Sequence, residues 1–155
     1  MKYLAIAAAI TAADQITKRC AEQSLMGGNE ITIGKLRLRN LRNSGAAMGL
    51  FANKPHLLTA MTAAATVQVL SHFYRINKAG KLDNTYKFSC ACIFGGAAGN
   101  IIDRSRLGYV TDFIQVGRSP VFNIADVFVA LGTIIFTIKQ IQGFILNPDF
   151  MNPLF

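Results

Sequence analysis

Asn123-Ile124-Ala125-Asp126-Val127-Phe128-Val129-Ala130-Leu131-Gly132-Thr133-Ile134-Ile135-Phe136-Thr137-Ile138 is the stretch on which the fold turns. From Val127 to Ile138 only Thr133 and Thr137 interrupt an apolar run, and a carboxylate stands at its head. A helix from Asn123 to about Ile145 is long enough to cross a hydrocarbon layer about 30 Å thick. Asn123 with an acid three residues on has the form of a helix N-cap, a capping-box variant. Such a cap fixes the Asp126 rotamer and sets the carboxylate against the positive end of the helix. A charged side chain in that setting costs on the order of 2.5–3.5 kcal/mol even on lenient insertion scales, which marks it as functional.

A second acid in equally apolar company, Asp112, lies in Tyr109-Val110-Thr111-Asp112-Phe113-Ile114. Two close carboxyls cannot easily both ionise, so one keeps a proton. Asp112 and Asp126 are therefore candidates for an acid/base pair of the aspartyl protease kind, beside a bilayer.

The composition agrees. Of 155 residues, 52% are hydrophobic and 15% charged, with mean hydropathy +0.34, leaving too little polar surface for a soluble globule. The length suits one domain, 1–155. The net charge of +8 is assigned to anionic lipid headgroups rather than to nucleic acid, because the cations flank apolar spans. Cys20, Cys90 and Cys92 have neither CxxC nor metal spacing and are read as packing residues; His56 and His72 form no ligand set. No metal or cofactor is expected.

Four spans follow from the apolar segments: Met1 to Cys20, Pro55 to Tyr74, Thr85 to Ile102 and Asn123 to Ile145. Lys2 followed by Tyr3–Ala13 has the outline of a secretory signal, but Thr17-Lys18-Arg19 before Cys20 does not fit a lipobox. The segment is read as a first helix that stays. Between Gly27 and Asn43 the period changes from 3.6 to 2: Ile31, Ile33, Leu36 and Leu38 alternate with Thr32, Lys35, Arg37 and Arg39 around Gly34-Lys35. This predicts a β-hairpin at the membrane surface, its cations meeting headgroup phosphates and its aliphatic face resting on lipid or substrate. Ser105 to Val121 is read as a loop holding Asp112, and the tail from Asn147 as irregular.

Three further motifs carry polar groups. Asp14 and Lys18 sit one helical turn apart. Asn43-Ser44-Gly45-Ala46-Ala47-Met48-Gly49 joins the hairpin to the second span with residues small enough for close backbone approach. In Gly95-Gly96-Ala97-Ala98-Gly99-Asn100-Ile101-Ile102-Asp103-Arg104, a GxxxG pair allows helices to approach, and Asn100 and Arg104 share a face at the end of a span. The face carrying Gly96-Ala97-Ala98-Gly99-Asn100 is a candidate groove for lipid tails lying between helices.

In order, Asp14-Gln15-Ile16-Thr17-Lys18, Asn43-Ser44-Gly45-Ala46-Ala47, Gly95 to Arg104, Val110-Thr111-Asp112-Phe113 and Phe122-Asn123-Ile124-Ala125-Asp126 resemble the signature blocks of bacterial lipoprotein signal peptidase, the type II signal peptidase. The resemblance implies a four-helix membrane protease with a small extracytoplasmic β-hairpin or sheet between helices 1 and 2. It implies cleavage of diacylglyceryl-modified prolipoproteins on the N-terminal side of the lipidated cysteine. Asp112 and Asp126 would be the catalytic dyad. Asn43, Asn100, Arg104 and Asn123 would line the site, and Asp14, Lys18 and Asp103 would support it. The implied setting is the bacterial inner membrane, multi-pass and monomeric, with cytoplasmic termini and the site near the outer leaflet. Cations are more numerous on the side away from the termini, so a plain positive-inside count gives the opposite orientation.

Met48 stands where the family usually has Phe, and Gln115 where a third acid often follows the Asp-Phe pair. The dyad members are close in sequence, and the chain has no Trp. Two other readings suit the same residues. A small proton- or ion-coupled carrier would also use intramembrane Asp, Asn and Arg, although no internal repeat is present. A non-catalytic paralogue that binds lipidated peptides would not need an intact dyad.

Overall fold

Small residues make the third helix the hub of the fold. From Ser89 to Gly99 every residue but Ile93 and Phe94 is Ser, Cys, Ala or Gly, so neighbouring backbones can approach from several sides. The computed structural model describes residues 1–45, 54–78 and 80–146. They form four α-helices, α1 (Lys2–Ser24), α2 (Pro55–Lys78), α3 (Asn84–Leu107) and α4 (Ile124–Leu146), and three strands, β1 (Glu30–Ile33), β2 (Leu36–Asn43) and β3 (Val110–Val116).

α3 packs on all three other helices, each through a different face. Towards α1, a Cβ on Gly95 would lie 2.7 Å from the Ala7 carbonyl oxygen, and one on Gly99 would strike the Asp14 carboxylate. The Thr11 hydroxyl donates to the Gly95 carbonyl across the same contact (2.8 Å). Towards α4, a Cβ on Gly96 would lie 2.5 Å from the Ala125 carbonyl oxygen, and Gly132 reciprocates against Ser89. Within the Gly96–Asn100 stretch expected to offer a groove, Gly99 is thus covered by α1 and Gly96 by α4, while Ala97 and Asn100 stay open. The open side of α3 is the face carrying Ile93, Ala97, Asn100 and Arg104, which looks into a groove shared with α2 and α4.

Asp83 caps the start of α3, accepting from the Tyr86 amide (2.8 Å). Gly108, in the left-handed region at φ 78, ends the helix by donating its amide to the Arg104 carbonyl (3.1 Å). α3 therefore runs five residues past the expected Ile102, keeping Asp103 and Arg104 helical. Each helix has 23 or 24 residues, about 35 Å at 1.5 Å per residue. Four helices stand where four spans are expected, but by length and composition one, over Ile124–Gly143, qualifies as a membrane crossing among the described residues. Polar side chains such as Asp14 and Lys18 on α1, His56 and His72 on α2, and Asp103 and Arg104 on α3 lower the hydropathy of the others.

β1 and β2 form the expected hairpin, pairing Ile33 with Leu36 and Ile31 with Leu38. Gly34 turns it at φ 61, a backbone region that favours glycine. The segment expected as a loop, Ser105 to Val121, holds a strand. β3 pairs antiparallel with β2, setting Arg37 opposite Gln115 and Arg42 opposite Thr111, with a bulge between Leu38 and Leu41. Its Val, Thr, Phe and Ile content between Gly108 and Gly117 is that of a strand. The sheet, ordered β1-β2-β3, thus draws its third strand from between α3 and α4 rather than wholly from between α1 and α2. A lone hairpin is marginal, and the third strand makes it part of the fold.

The end of α1 backs the sheet. Ala21 and Leu25 pack with Phe113, and Leu38 and Ile114 lie against them. Part of the aliphatic face expected to meet lipid or substrate is therefore covered by α1, while Ile31, Ile33 and Val116 remain exposed.

Candidate active site

Strand pairing brings the first of the site residues together. Leu41 faces Asp112 across the ladder, and Asn43, two residues on, shares its side of the sheet. The Asn43 amide Nδ2 donates to Asp112 Oδ2 (2.8 Å), while its Oδ1 accepts from the Gly45 backbone amide (3.0 Å).

The second acid is set by the helix cap that the sequence suggests. Asn123 Oδ1 accepts from the Asp126 amide (2.9 Å), and Asp126 Oδ2 accepts from the Asn123 amide (3.2 Å), a reciprocal capping box. With its oxygen committed, fully buried Asn123 turns its Nδ2 inward, donating to Asp112 Oδ1 (2.7 Å) and Asn100 Oδ1 (3.1 Å). One side chain thus ties the start of α4, the strand acid and α3.

Asn100 follows the same rule. Its Oδ1 also accepts from Lys18 Nζ (2.9 Å), and its Nδ2 donates to Asp126 Oδ1 (2.9 Å). A lysine ammonium can only donate, so Lys18 fixes which way this amide points. In all three asparagines a donor holds the amide oxygen, and the NH₂ faces a carboxylate.

Behind this layer lies a buried ionic cluster. Lys18 Nζ lies 2.8 Å from Asp14 Oδ2 and 2.9 Å from Asp103 Oδ2, so with Asn100 its three protons all have acceptors. Asp14 Oδ1 in turn accepts from the Ala125 amide at the start of α4 (2.9 Å). Gln15 donates to Asp103 Oδ1 (2.8 Å) and to the Gly99 carbonyl (3.2 Å).

Asp112 and Asp126 open into one groove of about 370 Å³, which Asn43, Asn100, Arg104 and Phe136 also line. The Arg104 guanidinium interacts electrostatically with Asp126, Asp112 and Asp103. The Asp112 side chain, 2% exposed, is pushed up to about 6 chiefly by burial. The Asp126 charge adds to this, while the hydrogen bonds from Asn43 and Asn123 and the Lys18 charge oppose it. A desolvated carboxyl and a second carboxyl opening into one groove can perform acid/base chemistry on a substrate held there.

The chain matches the profile of the family described as Signal peptidase (SPase) II over residues 6–142. It belongs to the signal peptidase II family. The lipoprotein signal peptidase of Moorella thermoacetica is 34% identical over 137 residues, covering 87% of this chain and 89% of the relative. That of Clostridium tetani is 39% identical, covering 82% and 86%. Two solved structures described as bacterial membrane enzymes superpose with TM-scores of 0.81 and 0.76, at 28% and 29% identity. The first covers 91% of this chain and 88% of its own, the second 90% and 92%.

All nine site residues expected from this signal peptidase II resemblance fall in one connected region: Asp112, Asp126, Asn43, Asn100, Arg104, Asn123, Asp14, Lys18 and Asp103. Gln15, Glu22 and Thr111 join them and were not singled out in the sequence. Glu22 continues the one-turn spacing of Asp14 and Lys18, which was its legible signal. Thr111 carries no such local signal, because its place is set by the pairing of β3 with distant β2. Gln115 donates to the Ser119 carbonyl (2.9 Å), bracing the turn after β3. Met48, the rest of 46–49 and the tail from 147 lie outside the described residues.

Proposed function

We propose that this chain is a membrane aspartyl endopeptidase that removes signal peptides from diacylglyceryl-modified prolipoproteins, cutting N-terminal to the lipidated cysteine. Family membership supports the lipoprotein signal peptidase activity. The observation that carries the aspartic mechanism is a buried Asp112 carboxyl opening with Asp126 into one groove, each held by asparagine NH₂ groups.

The dyad shares one proton. The ionised carboxyl takes a proton from water as the water oxygen bonds to the scissile carbonyl carbon, and the protonated carboxyl donates to the carbonyl oxygen. Collapse of the tetrahedral diol breaks the C–N bond, and the departing nitrogen, which becomes the new cysteine amine, takes up a proton from the dyad. The two titrations belong to the pair rather than to either acid. Asn43 and Asn123 aim Asp112, and Asn100 aims Asp126. Arg104 stabilises negative charge developing on the carbonyl oxygen. Asp14, Lys18 and Asp103 support the layer beneath. The single domain, 1–155, acts as a monomer in the bacterial inner membrane, its four helices spanning and its termini cytoplasmic. The sheet and the dyad lie near the outer leaflet, and lipid tails and signal peptide occupy the groove among α2, α3 and α4.

The test is cleavage of a lipidated lipobox peptide by the purified protein in lipid vesicles. Asp112→Asn and Asp126→Asn should each abolish cleavage in folded protein, and the unlipidated peptide should be a poor substrate. Substantial turnover by either variant refutes the dyad. Binding without cleavage by the wild type would favour the non-catalytic reading, and a proton flux without either would favour the carrier.

A further inference from the structure

Behind Asp112, on the face of β3 turned away from the groove, lies a polar contact that the proposed mechanism does not use. Thr111 is 1% exposed, and its hydroxyl donates to Glu22 Oε1 at 2.6 Å. Its backbone amide points to Asp103 Oδ2 (3.3 Å). Glu22 lies on the last turns of α1, one turn beyond Lys18, and its half-buried carboxylate lines a small crevice between α1 and α3. A hydroxyl bonded to a carboxylate at this distance is a charge-assisted contact, among the stronger kinds.

The geometry of a strand gives this contact a consequence. Successive side chains point to opposite faces, so whatever grips Thr111 from behind sets the rotation of the strand that aims Asp112 forward. Asn43 and Asn123 hold the Asp112 carboxyl from the front. Phe113 also packs from behind, on Ala21 and Leu25, but apolar contact has no direction. Without the directional bond at Thr111 the two amides could follow the carboxyl as the strand rocks, because hydrogen bonds tolerate tilt better than catalytic alignment does. The ladder with β2 carries a bulge between Leu38 and Leu41, and the bonds from the Phe113 and Ile114 amides to the Phe122 carbonyl on the other edge of β3 begin only past Asp112.

We infer that Glu22 and Thr111 form a positioning pair for Asp112, a latch from α1 to the back of β3 that holds the acid at its reacting geometry. This rests on Asp112 being catalytic. Neither residue touches substrate, so the pair should act on turnover and leave binding in the groove nearly unchanged.

The experiment is steady-state cleavage of the lipidated lipobox peptide by full-length protein in vesicles, with thermal unfolding measured on the same preparations. Thr111→Val keeps the shape and removes the donor; Glu22→Ala removes the acceptor. Each should lower kcat by about tenfold or more while KM stays within about twofold. Thr111→Ser, which restores the hydroxyl, should recover most of the turnover, and Glu22→Gln, which keeps an acceptor, should exceed Glu22→Ala. The double variant should be no slower than the worse single one, because the two act through one contact. Wild-type kcat in folded Thr111→Val or Glu22→Ala overturns the proposal, as does a lowered melting temperature with kcat intact. Losses that multiply in the double variant also overturn it. If Thr111→Val does not fold, Glu22→Ala and Glu22→Gln decide alone. Asp112→Asn is run alongside: turnover there defeats the dyad itself, whereas a dead Asp112→Asn with fully active latch variants defeats only the latch.

Discussion

Asp112→Asn should change the pH dependence of stability as well as abolish cleavage, and the structure fixes the sign. The Asp112 carboxyl is raised from its ordinary 3.8 to about 6, so the folded protein binds that proton more tightly than the unfolded chain does. Its contribution to stability is complete below about pH 4 and is lost as pH rises through about 6, the reverse of a salt-bridged aspartate. The displacement corresponds to on the order of 3 kcal/mol. Asn has nearly the same volume and cannot ionise, so the variant escapes that loss. It also sacrifices something: one end of its amide must present NH₂ to the NH₂ of Asn43 or Asn123, forfeiting a bond worth about 1–3 kcal/mol. The variant should therefore be less stable than wild type near pH 4 and comparable to it near pH 8. Between those limits the difference should swing by roughly 6–12 °C in melting temperature, at about 2–4 °C per kcal/mol for a chain of this size.

The chain has no Trp, but Cys90 and Cys92 are buried and free, so near neutral pH a thiol-reactive dye reports unfolding above a constant signal from exposed Cys20. Loss of helical circular dichroism carries the series down to pH 4, where too little thiolate remains to react. Comparing wild type with the variant cancels every other titrating group that the substitution leaves unchanged. Parallel melting curves across pH 4 to 8 would refute the desolvated-acid reasoning, and a difference growing in wild type's favour as pH rises would reverse its sign.

Two further outcomes follow from the packing. Lys18→Met leaves the Asp14 and Asp103 carboxylates facing each other without their cation and frees the Asn100 amide to turn; loss of about 3–5 kcal/mol is expected, and an unchanged thiol-dye melt would show the cluster to be energetically idle. Gly96→Ala drives a methyl to 2.5 Å from the Ala125 carbonyl oxygen, so α4 must shift one residue from Asp126; both cleavage and melting temperature should fall, and wild-type values for both would disprove the close approach of α3 and α4.

The parts of this protein legible in its sequence are those with a local physical signature. The Asn123–Asp126 cap, the Asp14–Lys18 turn and the hairpin around Gly34 depend on neighbours within nine residues, and each forms as its spacing implies. β3 reads as a loop although its composition favours a strand, because Val110-Thr111-Asp112-Phe113-Ile114-Gln115-Val116 has no clean period of 2. Its partner β2 is distant in sequence, and no local pattern shows that register. The groove is legible in part, for a related reason. GxxxG announces close approach without saying to what, and here α1 fills the Gly95–Gly99 face while Ala97 and Asn100, one step around the helix, line the opening.

The placement of Lys18 explains why the site can hold an acid of raised affinity for its proton. A lysine in direct contact with Asp112 or Asp126 would favour full ionisation and remove the shared proton on which the proposed mechanism depends. Leaving out a cation altogether would strand the buried carboxylates of Asp14 and Asp103, which brace α4 and β3. The chain resolves this conflict by interposing a neutral amide. Lys18 neutralises the supporting acids directly and reaches Asp126 only through Asn100, whose orientation it sets without transferring a full charge contact. Asp replacing Asn100 would break this insulation by bringing a third carboxylate beside the dyad. Leu there would leave Lys18 one acceptor short and Asp126 without its donor. An asparagine at this position satisfies both requirements, because its two ends can bind a donor and an acceptor at once.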